Sequence, residues 1–137
     1  MELQVGVKVL LKNSEGKYLL LRRNPKKYPE IGPKWDLVGG RINPGTSLLE
    51  NLKREVLEET GLVLSTLPKL IAAQDILRVE GRHVVRLTYT GEIQGESKID
   101  EESTEYGWFS KEQINSLKKD ELDSYFKELI DYGSIYL

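Results

Sequence analysis

Residues 39–62 read GGRINPGTSLLENLKREVLEETGL, and no other segment says as much about the architecture. Three of its glutamates, Glu55, Glu58 and Glu59, stand at positions i, i+3 and i+4. Side chains of an α-helix turn by about 100° per residue, so this spacing places three carboxylates on one side of a helix. Like charges at this spacing destabilise a helix, and the segment therefore predicts an acidic helix with a compensating partner.

Two kinds of partner can compensate these carboxylates. Arg54 can relieve one of them, whereas a divalent cation can relieve all three, because Mg²⁺ and Mn²⁺ prefer oxygen ligands. Glu55 and Glu59 lie at the margin of the helix's apolar stripe rather than on its solvated side. The stripe consists of Leu48, Leu49, Leu52 and Val56. By spacing alone, an ordinary acidic surface helix explains the pattern about as well as a metal site does.

The flanks of the acidic helix predict a strand, a glycine loop, a helix and a second loop. An apolar run, WDLV at residues 35–38, leads into Gly39 and Gly40, and adjacent glycines let a backbone approach a ligand closely. Ser47 begins the helix with a capping-box pattern, and Gly61 supplies the left-handed residue that ends it.

Taken together, these residues resemble the signature of the Nudix hydrolase family. That signature is a glycine, five residues, a glutamate, seven residues, and then Arg-Glu-hydrophobic-x-Glu-Glu-x-Gly-hydrophobic. The matching positions are Gly40, Arg54, Glu55, Val56, Glu58, Glu59, Gly61 and Leu62. Thr46 departs from the pattern, because the family usually has its first glutamate there. The resemblance implies an α/β/α sandwich with a central mixed β-sheet, as a single domain over residues 1–137.

The resemblance also implies a reaction and a set of site residues. Water attacks phosphorus in a nucleoside diphosphate linked to another group, without a covalent enzyme intermediate, and Mg²⁺ or Mn²⁺ is the cofactor. The implied metal ligands are Gly40, Glu55, Glu58 and Glu59, with Arg54 orienting the cluster. In the resemblance, the missing glutamate contacts the metal ligands rather than the metal itself. Its replacement by Thr46 is therefore expected to affect the rate and the metal affinity more than the type of reaction.

The substrate class is less specified than the reaction. The short chain and the WDLVGG entry resemble MutT-type nucleoside triphosphate pyrophosphohydrolases, including those that act on oxidised purine nucleotides. Hydrolysis of ADP-ribose or of a nucleotide sugar is an alternative. A third reading is a Nudix-fold sensor that binds a nucleotide without cleaving it, and Thr46 is the feature that suggests it.

Basic and aromatic side chains near the glycine loop are the candidates for substrate contact. Arg22 and Arg23 end a predicted strand, Arg41 adjoins the backbone of the glycine pair, and Tyr28 offers a stacking surface in a loop at residues 24–34. For each of the three arginines, the simpler interpretation is a solvent-exposed side chain with no role in binding.

The general base is expected among carboxylates. Glu58 and Glu59 are two candidates, and the third is Glu105, which follows an acidic loop and precedes the strand at Tyr106. The resemblance also makes Glu105 an additional metal ligand. A solvated acidic loop is the alternative explanation for residues 100–105.

Composition excludes several other function classes. The chain has 137 residues and no cysteine, so disulfides, thiolate catalysis and zinc-thiolate sites are impossible. Twenty basic and 22 acidic residues give a net charge of −2, which favours a small nucleotide over long nucleic acid. No apolar run approaches the length of a membrane span, so we expect a cytoplasmic protein without a membrane partner. Monomer and homodimer remain equally open.

The remaining periodicities predict strands and helices around the signature. The predicted strands are Leu3–Lys12, Lys17–Arg23, Lys69–Val79, His83–Ile93 and Tyr106–Phe109. The predicted helices are Ser110–Leu117 and Asp120–Asp131.

Overall fold

The computed structural model describes residues 1–23, 34–94, 104–117 and 119–135. Within these ranges, seven strands share one sheet. The strands are β1 (Glu2–Lys12), β2 (Tyr18–Arg23), β3 (Trp35–Asp36), β4 (Val38–Arg41), β5 (Lys69–Ile76), β6 (Arg82–Glu92) and β7 (Thr104–Phe109). The helices are α1 (Leu48–Thr60), α2 (Lys111–Ser116) and α3 (Ser124–Asp131), with a 3₁₀ turn at Lys119–Glu121.

Strand β1 organises the sheet. One of its edges pairs in parallel with β6 along the whole strand, from Glu2 opposite Arg82 to Lys12 opposite Glu92. Its other edge is shared, because β4 pairs with residues 6–9 and β2 with residues 11 and 12, both antiparallel. The sheet is therefore mixed, as predicted, and the short strand carrying the glycine pair lies against its centre.

Side chains that alternate along the strands build two cores on opposite faces of the sheet. Val7 and Val9 of β1 face a core that includes Leu52 and Val56 of α1. Leu10 of the same strand faces a second core that includes Ile114 of α2 and Phe126 of α3. The predicted α/β/α sandwich is confirmed, with the acidic helix alone on one layer among the described helices.

Three predictions differ from the structure. The apolar run at residues 35–38 is divided between β3 and β4, and Gly39 and Gly40 belong to β4 rather than to a loop.

The third difference is the continuity of the last helix. The periodicity favours a single helix over Asp120–Asp131, but the chain forms a 3₁₀ turn and then α3. Asp123 separates them, because its carboxylate accepts hydrogen bonds from the backbone N–H groups of Tyr125 and Phe126, both at 3.0 Å. An N-cap at that point starts a new helix rather than continuing an old one.

None of the helices in the described part of the chain is long and apolar enough to cross a membrane.

Candidate active site

The acidic helix begins and ends where its caps predict. Ser47 has extended backbone angles, φ −62° and ψ 157°, and its hydroxyl accepts a hydrogen bond from Glu50 N. Gly61 is left-handed at φ 73°, and its N–H donates to Leu57 O. Leu52 and Val56 are fully buried against the sheet. These contacts determine which side of the helix carries the glutamates.

The glycine pair brings the strand close enough to meet that helix. Gly39 has φ 144°, and a Cβ at this position would lie 1.9 Å from Val7 O on β1, so only glycine fits. A Cβ on Gly40 would lie 2.8 Å from Glu55 Oε2. The missing side chain of Gly40 therefore makes the space that the Glu55 carboxylate occupies.

Arg54 connects the glycine turn to two of the glutamates. Its Nη1 donates to Glu55 Oε1 at 3.1 Å and lies 3.5 Å from Glu58 Oε2. Its Nη2 donates to Arg41 O at 3.3 Å and to Asn51 Oδ1 at 3.0 Å. The guanidinium thus fixes Glu55 and Glu58 relative to the end of β4.

Glu59 approaches the same turn from the next position of the helix. Its Oε1 accepts a hydrogen bond from Gly39 N at 3.3 Å. Glu55 is largely buried, with a side chain 12% exposed, whereas Glu58 is 58% exposed and open to solvent. The structure therefore brings together Gly39, Gly40, Arg54 and all three predicted glutamates.

The carboxylates nevertheless do not converge on one point. Across residues 1–23, 34–94, 104–117 and 119–135, no three acidic or histidine side chains are grouped as a ready set of metal ligands. Arg54 holds Glu55 and Glu58, and Glu59 Oε1 accepts from Gly39 N. The donors are hard oxygens on one side of one helix, and carboxylates outnumber the guanidinium by two, so the composition of the group suits Mg²⁺ or Mn²⁺.

The Arg41 guanidinium lies on the other face of β4. Arg41 pairs with Gly6, and its Cδ is 3.8 Å from the position of a Gly6 Cβ. Successive side chains of a strand point to opposite faces, so Gly40 faces Glu55 and Arg41 faces away. Partial burial, followed by repulsion from Arg82, lowers the pKa of Arg41. Arg41 reaches the candidate site through its backbone carbonyl.

Glu105 and Arg22 contact each other rather than the acidic helix. They are cross-strand partners on β7 and β2, and both Nε and Nη2 of Arg22 donate to Glu105 Oε2. The Arg22 guanidinium also lies 4.8 Å from the centre of the Trp35 ring. The structure does not place Glu105 with the three glutamates. The side chain of Arg23 and the whole of Tyr28 lie outside the described residues.

A buried ionic network beneath the glycine turn was missed by sequence reasoning. Arg86 Nη2 donates to Asp36 Oδ1 at 2.9 Å, and its Nη1 lies 3.2 Å from Asp123 Oδ2. Lys8 Nζ lies 3.4 Å from Asp36 Oδ2 and donates to the carbonyls of Leu37 and Gly39, both at 3.3 Å. Charged residues inside strands usually predict solvent exposure, so the sequence offered no signal for this network.

The network shifts the acidity of its own carboxylates. Burial alone would raise the pKa of Asp36, but Lys8 and Arg86 outweigh burial and lower the pKa to about 2. Burial and the neighbouring Asp36 charge raise the pKa of Asp123. Burial would lower the pKa of Arg86, but the two aspartates raise it. The cluster therefore holds its charges through mutual compensation.

The chain is similar to several known proteins. Residues 2–130 match the NUDIX domain family. A protein of Escherichia coli O17:K52:H18, the nucleoside triphosphatase NudI, is 31% identical over 111 residues, which is 74% of this chain and 78% of that protein. The MutT protein from Methanosarcina mazei Go1 has 31% identity and a TM-score of 0.79, with 95% of this chain and 91% of that chain covered.

A shorter match falls on a Bacillus subtilis (strain 168) protein whose name proposes an 8-oxo-dGTP diphosphatase. It is 43% identical over 56 residues, or 41% of this chain. The match spans 34% of the length of the Bacillus protein.

Proposed function

Because the chain belongs to the Nudix family, we propose that it is a metal-dependent pyrophosphohydrolase that cleaves a nucleoside triphosphate to a monophosphate and pyrophosphate. The observation that carries this proposal is the placement of Glu55 and Glu59 against the two glycines of β4, with Arg54 held between Glu55 and Glu58. An oxidised purine nucleotide is one specific substrate, suggested by the name of the Bacillus subtilis relative. The names of the NudI and MutT relatives support the broader triphosphate class.

The residues that would hold Mg²⁺ or Mn²⁺ are Glu55, Glu58 and Glu59, together with the backbone of Gly40. Their oxygen atoms match the preference of both cations, and the space left by Gly40 keeps the Glu55 carboxylate against the turn. A bound cation would offset phosphate charge, polarise the phosphorus and lower the pKa of a water molecule.

The chain's own residues position the reacting groups. Arg54 orients Glu55 and Glu58 through one guanidinium nitrogen, Nη1, and is itself fixed by Arg41 O. We assign the general base to helix α1, with Glu58 as the first choice, because its exposed carboxylate can meet a water molecule. Glu105 suits this role less well, since its carboxylate already accepts two hydrogen bonds from Arg22.

Contacts to phosphate remain predictions. Arg22 and Arg41 are engaged elsewhere in the described structure, by Glu105 and by the Gly6 face of the sheet. Arg23 and Tyr28 stay as substrate-contact predictions on the sequence alone. We therefore do not assign recognition of the substrate's organic group to any of the described side chains.

The proposal is tested by offering the full chain a panel of substrates with Mg²⁺ or Mn²⁺ and identifying the phosphate products. The panel contains nucleoside triphosphates, oxidised purine nucleotides, ADP-ribose and nucleotide sugars, with EDTA as the control. Release of pyrophosphate and monophosphate from a triphosphate, abolished by EDTA, supports the proposal. Preferred cleavage of ADP-ribose or a nucleotide sugar overturns the substrate class, and tight binding without cleavage of any compound establishes a sensor.

A further inference from the structure

Asn51 is a polar residue in an unexpected place. It lies in the interior of α1, where asparagine is a poor helix former, and its side chain is fully buried. A buried amide that lacks partners destabilises a fold, so a retained one normally has its hydrogen bonds satisfied.

All four hydrogen-bonding positions of the Asn51 side chain are used. Nδ2 donates to Thr46 O at 2.9 Å and to Ser47 O at 2.7 Å. Oδ1 accepts from Asn43 N at 2.8 Å and from Arg54 Nη2 at 3.0 Å. An asparagine side chain has two donor hydrogens and two acceptor lone pairs, so this set is complete.

These bonds connect the loop before α1 to the arginine that orients the glutamates. Thr46 occupies the position where the Nudix signature has a glutamate, and this threonine is exposed to solvent. Arg54 instead donates a hydrogen bond to Oδ1 of Asn51. The bond has an ordinary length of 3.0 Å, and three other hydrogen bonds hold the Asn51 amide in place, so the amide restrains the guanidinium.

We propose that Asn51 is a positioning residue that takes over the orienting role of the missing signature glutamate. It acts through Arg54 and does not itself touch metal or substrate. Because its acceptor is a neutral amide, the group around Arg54 carries one negative charge fewer than it would with a glutamate at position 46. The inference rests on the proposed function, since the benefit of an oriented Arg54 is a correctly placed pair of metal ligands.

The test measures Mn²⁺ binding to the full chain by the electron paramagnetic resonance signal of free Mn²⁺, alongside urea unfolding. Asn51→Ala should weaken Mn²⁺ binding by about tenfold, as loss of a residue behind the metal ligands typically does. It should also lower stability, because Asn43 N and the carbonyls of Thr46 and Ser47 lose their partner.

The second variant separates orientation from general stability. In Asn51→Ala/Thr46→Glu, the new carboxylate can bond Arg54 but cannot replace the bonds to the loop carbonyls. We expect Mn²⁺ affinity to return while unfolding stability stays low. A purely structural role of Asn51 predicts that affinity and stability remain low together, and that result overturns the proposal.

Thr46→Glu alone keeps the proposal testable if the alanine variant does not fold, because position 46 is exposed. If Asn51 already orients Arg54, the new carboxylate should change Mn²⁺ affinity by less than about threefold, and a gain of about tenfold or more contradicts the inference. If the wild-type chain binds no Mn²⁺, the proposed function fails and the role of Asn51 fails with it. If the wild type binds Mn²⁺ and Asn51→Ala binds it equally well, only the role of Asn51 fails.

Discussion

Two arginines of this protein each lie between two carboxylates, yet their surroundings differ. Arg54 is 31% exposed and contacts Glu55 and Glu58 of its own helix. Arg86 is 5% exposed and contacts Asp36 and Asp123, which belong to other parts of the chain. We call the first group the Arg54 cluster, with Glu59 as its third acid, and the second the Arg86 network, with Lys8 as its second cation.

Charge balance separates the two groups. The Arg86 network has two cations and two anions, so it is compensated without any ligand. It joins β1, β6, β3 and the start of α3, as expected of a structural tie. The Arg54 cluster has three carboxylates and one guanidinium beside the end of β4, and this excess of negative charge favours binding of a cation. We therefore expect burial and charge balance, rather than contacts alone, to distinguish the proposed functional role of Arg54 from the structural role of Arg86.

The largest expected effect is a loss of stability when the buried cation, Arg86, is removed. Arg86→Met removes a buried guanidinium and leaves Asp36 and Asp123, which are 25% and 16% exposed, with only Lys8. Breaking a buried ion pair costs about 3–5 kcal/mol of unfolding free energy, and the partial exposure of both aspartates puts the expected loss at the lower end of that range. Urea unfolding measures the loss, and turnover per folded molecule should remain near normal. Lys69→Met, at an exposed cation of β5, is the control and should change stability little. A loss as small as the control's would remove the contrast between the two groups.

Glu58→Gln should change stability little and turnover greatly, the reverse of Arg86→Met. The substitution removes a charge from a mostly exposed side chain, so stability should change by less than about 0.5 kcal/mol. Turnover should fall by about a hundredfold or more, because a proposed base and metal ligand is lost. Glu50→Gln, an exposed acid in the first turn of the same helix, is the matched control. A near-normal rate would contradict the role of Glu58.

The Arg86 network should also show itself in the pH dependence of stability. The pKa of Asp36 is about 2 instead of 3.8, so its contribution is fully present above about pH 4 and is lost as pH falls towards 2. The shift corresponds to at most about 2 kcal/mol. Asp36→Asn should therefore lose about that much at neutral pH and decline less steeply between pH 4 and 2.

Asp123 must be accounted for in the same measurement. Its pKa is raised, so its contribution changes in the opposite direction as the pH falls. The difference between the wild-type and Asp36→Asn curves removes the part of that background caused by burial of Asp123, but not the part caused by the Asp36 charge. Parallel curves from pH 7 to 2 would mean that Asp36 titrates alike in the folded and unfolded chains.

The smallest effect is a displacement within the Arg54 cluster. In Gly40→Ala the new methyl group meets the Glu55 carboxylate, the flexible end of a side chain, so the fold should persist while the carboxylate moves. We expect Mn²⁺ affinity to fall by about tenfold. Gly6→Ala is the control, because its Cβ meets only ordinary contacts at 3.7 Å and beyond. Equal affinities in the two variants would show that Glu55 needs no space at Gly40.

Helical spacing let the sequence predict much of the Arg54 cluster. Glu55, Glu58 and Glu59 lie within two turns of one helix, and the contacts of Ser47 and Gly61 that cap it are also local. Position on a strand was less informative. Arg41 was predicted to contact substrate and Glu105 to act as a base or metal ligand; in the structure the Arg41 side chain lies against Gly6 and Glu105 pairs with Arg22.

The acidic helix and its caps follow from residues a few positions apart, because a helix fixes side-chain direction through bonds spanning four residues. The place of the glycine pair in β4, against Val7 of β1, depends on tertiary contacts. Strand pairing has no such local rule, since the face of each residue depends on a partner far along the chain. Tertiary contacts therefore assigned the facing of Arg41, the pairing of Glu105 with Arg22, and the burial of Arg86. They also brought Arg41 O to Arg54, whereas Asn51 lies only three residues from Arg54 on the same helix.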